Sequence, residues 1–207
     1  MTVLVRIEVF TGDITTLEVD AIVNAANPQL NGGGGVDGAI HRAAGPALLA
    51  RCLELGGCPT GEAKSTPAYE LEPRVKHIIH TVGPVWGSDP DADGSEPMGY
   101  RLEDNQLSRA YQSSLEEARR LGARSLAFPC ISTGVYGFPK DRAATIAFGH
   151  VRRFLEKNET PGRVVLACFH PDDAQRYLGL LGRTELLVEI GGRGTRRPIL
   201  SIGEDEA

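Results

Sequence analysis

Asp37 and His41 stand four residues apart, a spacing that puts two side chains on one face of a helix. An acid beside an imidazole can hold a water and handle its proton. The pair follows Asn31-Gly-Gly-Gly-Gly35, and Asn24 and Asn27 stand just before that run. A plainer reading has Asp37 complementing the positive end of its helix, with His41 as a neighbour. A purely structural turn, however, does not require Asn24 and Asn27. An acid, an imidazole and amides beside a phosphate cradle could bind ribose hydroxyls and position a water.

Two segments share the design that makes such a cradle. Ile22-Val-Asn-Ala-Ala-Asn27 runs into Gly32–Gly35, and Phe128-Pro-Cys-Ile131 runs into Ser132-Thr-Gly-Val-Tyr-Gly137. Each is an apolar strand entering a glycine-bearing loop before a helix, and ligands of open α/β sheets collect at the carboxyl ends of strands. Glycine lets the backbone approach a ligand closely. Successive N–H groups can then converge on phosphate oxygens. Two such loops suggest a clamp around a diphosphate; the alternative is a pair of tight turns. Neither loop carries GxxxxGK[ST], nor GxGxxG with an acidic residue about 20 positions later.

The surrounding pattern supplies strands and helices in near alternation. Val3–Val9 reads as a strand near a sheet edge, followed by a turn at Gly12-Asp-Ile-Thr15. Ala21–Ala25 reads as a strand covered on both faces. From Val36 to Leu55 the apolar stripe Ile40, Ala44, Leu48, Cys52 predicts one helix. Lys64–Glu70 and His77–Val82 read as strands, and Pro84–Glu103 as a polar surface loop. Leu107, Tyr111, Leu115 and Ala118 mark a helix closed by Gly122. Strand Ser125–Ile131, helix Asp141–Lys157, strand Arg163–Cys168 and helix Asp172–Leu181 complete the core. This order predicts an α/β sheet with helices on both faces.

At 207 residues the chain suits one well-buried domain, and its formal charge of −5 gives no general pull toward nucleic acid. Cys52, Cys58, Cys130 and Cys168 form no CxxC pair, and the last two read as buried thiols. Arg6, Glu8 and Asp13 interrupt the early apolar residues, so no signal peptide is read there. No apolar run approaches the roughly 20 residues that span a membrane. A reducing cytoplasm is the expected setting.

With those residues in place, the sequence resembles the MacroD-type macrodomains. Val19–Asn27, Gly32–His41 and Ile131–Gly137 look like signatures of that family. Gly12–Thr15, Gly57-Cys-Pro-Thr-Gly61 and Ile79-His-Thr-Val-Gly-Pro84 agree in the right order. The similarity covers about residues 5–182 and is also close to bacterial O-acetyl-ADP-ribose deacetylases of this type. It implies a domain over residues 1–182, a three-layer α/β/α sandwich around a mixed sheet of about six strands. Residues 183–207 are then a C-terminal extension, whose Gly-Gly, Arg-Arg-Pro and acidic end read as flexible.

The resemblance implies roles as well. Asp13 would meet the adenine amino group, with the Ile14 backbone beside it. Phe169 matches the aromatic that packs on adenine; the alternative is an ordinary core phenylalanine. Gly32, Gly33, Gly34, Gly35 and Val36, with Ser132, Thr133, Gly134, Val135 and Tyr136, would wrap the diphosphate and distal ribose. Asn27 would bind that ribose, and Tyr136 would close over it. Asp37 would position or activate the attacking water, supported by His41 and assisted by the substrate's own phosphate. A carboxylate is a weak base at neutral pH, so orienting the water matters more than abstracting its proton.

The implied function is hydrolysis of the ester between ADP-ribose and an Asp or Glu side chain, and of the acetyl ester of O-acetyl-ADP-ribose. The competing reading is a reader that binds ADP-ribose without turnover. A third, an RNA-binding role, lacks a basic stripe with interleaved aromatics. No cofactor and no metal are expected, since the Cys/His pattern of the zinc-dependent macrodomains is missing. The expected partners are ADP-ribosylated proteins and O-acetyl-ADP-ribose, with no membrane, no nucleic acid and a monomeric protein. Two departures stand out: Glu62 where His is common, and a longer, more acidic loop at 84–104.

Overall fold

A computed structural model describes residues 3–88 and 101–182, together with the backbone of residues 187–188 and 197–198. Strands β1 (Ile7–Thr11), β2 (Ala21–Ala25), β3 (Ala63–Pro67), β4 (His77–Thr81), β5 (Ser125–Phe128) and β6 (Arg163–Cys168) form the body of one sheet. The two-residue strands β7 (Leu187–Val188) and β8 (Arg197–Pro198) add to it beside β1. The order is β3-β4-β2-β5-β6-β1-β7-β8. The ladder from β4 to β1 is parallel throughout, while β3 pairs antiparallel with β4, so the sheet is mixed.

The helices are α1 (Gly35–Ala44), α2 (Pro46–Glu54), α3 (Leu102–Arg120), α4 (Lys140–Lys157) and α5 (Pro171–Leu181). Strand side chains alternate between faces, and each face gathers its own core. In β2, Ala21 and Val23 join Leu107, Leu115, Val151 and Tyr177 from α3, α4 and α5. Ile22 turns the other way, toward Ile40, Ala44, Leu48 and Cys52 from α1 and α2. This is the expected three-layer α/β/α sandwich. Each fully buried Ile, Val or Leu contributes about 1.5–3 kcal/mol. Among the described residues, no helix is long and apolar enough to cross a membrane.

Several boundaries differ from the sequence pattern, each for a local reason. Val3–Arg6 is a 3-10 turn, so β1 starts at Ile7; it pairs with β6 on one side and β7 on the other. The single helix expected over Val36–Leu55 is two, divided at Gly45, where φ is +79°. Pro46 disfavours helical backbone at the residue before it and opens α2. The strand expected over Lys64–Glu70 ends at Pro67, and a 3-10 turn follows at Tyr69–Leu71. Pro129, which has no N–H to donate, follows the last residue of β5. Helix α3 starts at Leu102, inside the segment expected to be loop; residues 89–100 of that loop lie outside the described residues.

That early start has a physical cause. Glu103 and Asp104 read as polar surface, yet both are buried. Asp104 accepts from the Arg101 N–H at 2.8 Å, capping the helix, and from Arg142 Nε of α4 at 2.6 Å. Burial pushes its pKa up, but the Arg142 guanidinium together with the Arg101 N–H and the charge of Arg101 more than offsets this and holds it below the ordinary value. Of the two thiols expected to be buried, Cys168 is and Cys130 is half-buried, their sulfurs 3.8 Å apart. Apart from β7 and β8, the expectation of a flexible extension falls outside the described residues.

Candidate active site

Five parallel strands end on one edge of the sheet, and every expected site residue lies just beyond that edge or in α1. The order across it is β4, β2, β5, β6, β1. The loop after β2 carries Asn27 and Gly32–Gly35, and the loop after β5 carries Ser132–Tyr136. Phe169 follows β6 and Asp13 follows β1. From β2 to β1 is three strand spacings, about 14 Å at roughly 4.8 Å each. The edge therefore suits an elongated ligand with two chemically different ends.

The first loop is held by its own amide. Asn27 Nδ2 donates to the Gly32 carbonyl at 2.8 Å, and Asn27 Oδ1 accepts from the Asn31 N–H at 3.4 Å. Gly32 and Gly35 have φ of +80° and +58°, values that disfavour any side chain. Helix α1 begins at Gly35, so its first N–H groups point out of the helix with no intrahelical acceptor. A Cβ on Gly38 would lie 2.6 Å from the Gly33 carbonyl oxygen, which shows how closely α1 packs on the loop.

Asp37 lies in the first turn of α1 and is buried, only 5% exposed. Its Oδ1 accepts from Asn24 Nδ2 at 2.6 Å and lies 3.4 Å from His41 Nε2. Its Oδ2 faces the loop: a Cβ on Gly33 would stand 3.1 Å from it. Asp37, His41 and the first glycine loop are thus brought together.

The second loop is closed by Gly137 N–H donating to Gly134 O at 2.9 Å and Phe138 N–H to Ser132 O at 3.0 Å. Trp86 N–H donates to Tyr136 O at 2.8 Å, tying the segment after β4 to this loop. The Trp86 ring lies edge-on to Phe138, with the Arg101 and Arg142 guanidinium groups 4.9 and 5.7 Å from its centre. Ser132 has φ +65°, rare for a residue with a side chain, and its buried Oγ has no hydrogen-bond partner. A strained backbone and an orphaned hydroxyl each cost stability at this position. A Cβ on Gly83 would meet that hydroxyl at 2.1 Å, so only glycine lets the two segments approach. Val135 is wholly exposed at the loop tip, and Tyr136 is half-buried.

At the far end, Asp13 is exposed but partly occupied. Its Oδ1 accepts from the Thr15 N–H and hydroxyl, each at 2.9 Å, capping a short 3-10 turn. Ile14 is buried. Gly12 N–H donates to Cys168 O at 2.9 Å, which sets Asp13 and Phe169 side by side. Phe169 is 74% exposed and touches His170 edge-on at 5.2 Å, so it is not a core residue.

Sequence reasoning missed one participant. His80 of β4 is the direct register partner of Asn24 and is buried. Its Nδ1 is 3.1 Å from Asn24 Nδ2, and its Nε2 is 3.1 Å from Thr66 Oγ1 and 3.6 Å from Cys52 Sγ. The available signal was a polar residue inside the apolar run of β4, matched by Asn24 inside that of β2. Burial, with a smaller contribution from His41, pushes the His80 pKa down to about 3. Burial, and then Asp37, pushes the Cys52 thiol up to about 11.

The His80 shift fixes the sign of a pH effect on stability. Below its ordinary value of about 6.5 the unfolded chain binds a proton that the folded one refuses, so stability falls as pH drops from there toward 3. The slope is on the order of 1 kcal/mol per pH unit. Half-buried His150, also lowered by burial and by Arg153, acts in the same direction. Asp20 and Asp104, with pKa values below ordinary, lose their contribution only in more acid solution. Urea unfolding at pH 7 and pH 5 should show the wild type losing stability and His80→Asn losing less. Equal losses would contradict this origin.

Residues 23–147 match the family described as Macro domain. Among curated relatives, an O-acetyl-ADP-ribose deacetylase of Klebsiella pneumoniae is 52% identical over 86% of this chain and 97% of its own. The ADP-ribose glycohydrolase MACROD2 of Xenopus laevis is 50% identical over 83% of this chain, which matches 39% of that longer protein. Among solved structures, the Trypanosoma brucei macrodomain in complex with ADP-ribose superposes with a TM-score of 0.77 at 42% identity, covering 88% of this chain and 72% of that one.

Proposed function

The chain belongs to the Macro domain family, and from that premise we propose that it hydrolyses ADP-ribose esters: it removes ADP-ribose from modified Asp and Glu side chains and deacetylates O-acetyl-ADP-ribose. The observation that carries this reading is the Asp37 carboxylate, pinned through Oδ1 by Asn24 at 2.6 Å with Oδ2 turned to the first glycine loop. A protein that only binds has no use for a buried acid held in one orientation beside its phosphate loop.

In the proposed complex the adenine amino group meets Asp13 and the Ile14 backbone, and the base lies on Phe169. Gly32–Val36 and Ser132–Tyr136 enclose the diphosphate and distal ribose. Asn27 reaches the ribose while bracing the loop through Gly32. Tyr136 covers it, and His41 steadies Asp37. Asp37 Oδ2 orients a water toward the ester. The water's oxygen bonds to the reacting carbon and the ester C–O bond breaks. A carboxylic acid and an ADP-ribose hydroxyl result. Positioning accounts for most of the rate, and the anion-binding cradle of backbone N–H groups at a helix N-terminus holds the phosphates.

This chemistry uses no metal and no cofactor. The same proposal has the chain act as a cytoplasmic monomer on modified proteins rather than nucleic acid, in keeping with its formal charge of −5. It takes residues 1–182 as the active domain and 183–207 as an extension. O-acetyl-ADP-ribose incubated with a catalytic amount of protein should yield free acetate and ADP-ribose over many turnovers, followed by proton NMR. Tight binding of ADP-ribose with no acetate released would leave a reader in place of an enzyme.

A further inference from the structure

Asp37, Asn24, His80 and Thr66 form one buried chain, and its hydrogen-bond logic has a single solution. A carboxylate only accepts, so Asn24 must turn its NH2 group toward Asp37 Oδ1, 2.6 Å away. The second hydrogen of that group points to His80 Nδ1 at 3.1 Å, which must therefore be the bare, accepting nitrogen. A neutral ring then carries its proton on Nε2 and donates to Thr66 Oγ1 at 3.1 Å. The ring is neutral at physiological pH because burial pushes its pKa down to about 3.

The arrangement has a cost. Asn24 Oδ1 is buried with no partner, which loses about 1–3 kcal/mol of hydrogen bonding. The apolar Val23 next to it shows what an ordinary position in this strand holds. The polar chain is thus kept at the expense of stability, and its end product is the orientation of one carboxylate. With Asn24 on Oδ1, and His41 3.4 Å from the same oxygen, Oδ2 is the oxygen that faces Gly33 and the loop.

We propose that His80 is a positioning residue for the reaction: through the Asn24 amide it fixes which oxygen of Asp37 faces the substrate. The proposal rests on the reading of Asp37 given above, and its test separates the two. In the wild-type protein, nitrogen-15 NMR of His80 should show Nδ1 bare and Nε2 protonated, unchanged from pH 5 to 8. The opposite tautomer, or titration in that range, overturns the proposal without any variant and without any assay of activity.

In kinetics, His80→Leu should lower kcat about tenfold, within the roughly 100-fold that a misplacement of about 1 Å of a catalytic group can cost, while ADP-ribose affinity stays within about twofold. His80→Asn places a carbonyl oxygen near the position of Nδ1 and should recover most of the rate. In an Asp37→Ala background, His80→Leu should change the rate by less than about twofold, because its effect passes through the missing acid. An unchanged kcat in folded His80→Leu, equal losses in both backgrounds, or a matching loss of affinity would each overturn it. If His80→Leu does not fold, the tautomer and His80→Asn decide. Should the wild type hydrolyse no ester, the functional reading fails while the tautomer still reports on the chain.

Discussion

Asp37→Ala should hydrolyse an ADP-ribosyl ester at least about 100-fold more slowly than the wild type, the loss expected for a positioned acid–base group. It should still bind ADP-ribose, because the backbone N–H groups of both glycine loops remain. A first-turn acid by itself contributes only about 0.3–1 kcal/mol to its helix. Asp37 is buried and bonded to Asn24, so its removal also leaves an amide without its acceptor, adding a cost of about 1–3 kcal/mol. Asp37→Asn is the control for that cost. Its side-chain oxygen still accepts from Asn24, the shape is kept and only the charge is lost. It should be stable and equally slow. Rates at saturating substrate keep a loss of binding from passing for a loss of catalysis. Wild-type turnover by folded Asp37→Asn and Asp37→Ala would remove Asp37 from the chemistry.

Phe169→Ala should weaken ADP-ribose binding by about 1–3 kcal/mol, the range measured when an aromatic under a base is truncated. That is roughly 5- to 150-fold in Kd. The ring is 74% exposed and contacts His170 only edge-on, so removing it should change stability by less than about 0.5 kcal/mol. An exposed phenylalanine at the end of β6, one residue beyond the carbonyl that accepts from Gly12, has a large apolar face for a ligand to cover. Calorimetry on the two proteins separates the possibilities, and an unchanged affinity would leave Phe169 without a role at the adenine end.

Much of this was legible in the chain because it is local. Glycines after two apolar strands, and an acid and an imidazole four residues apart, need no knowledge of tertiary structure. The break at Gly45-Pro46 was legible too, by the rule that a proline disfavours helix at the residue before it, yet the continuous apolar stripe Ile40, Ala44, Leu48, Cys52 overrode it. The start of α3 was not legible. Glu103 and Asp104 look like surface, and only Arg142, far along the chain, makes it possible to bury Asp104. The partnership of Asn24 with His80 is non-local in the same way. Alternation fixes each residue's face within its own strand, but not which strand lies beside β2. The β2–β4 register supplies that, and with it the chain that ends on Asp37.

The most direct test of the account is to incubate the wild-type protein with a protein mono-ADP-ribosylated on a glutamate and to follow both products. Free ADP-ribose and an unmodified carboxylate should be released over many turnovers by wild type and at least about 100-fold more slowly by Asp37→Asn. Stable binding of the modified protein, with no ADP-ribose released by either, would contradict it.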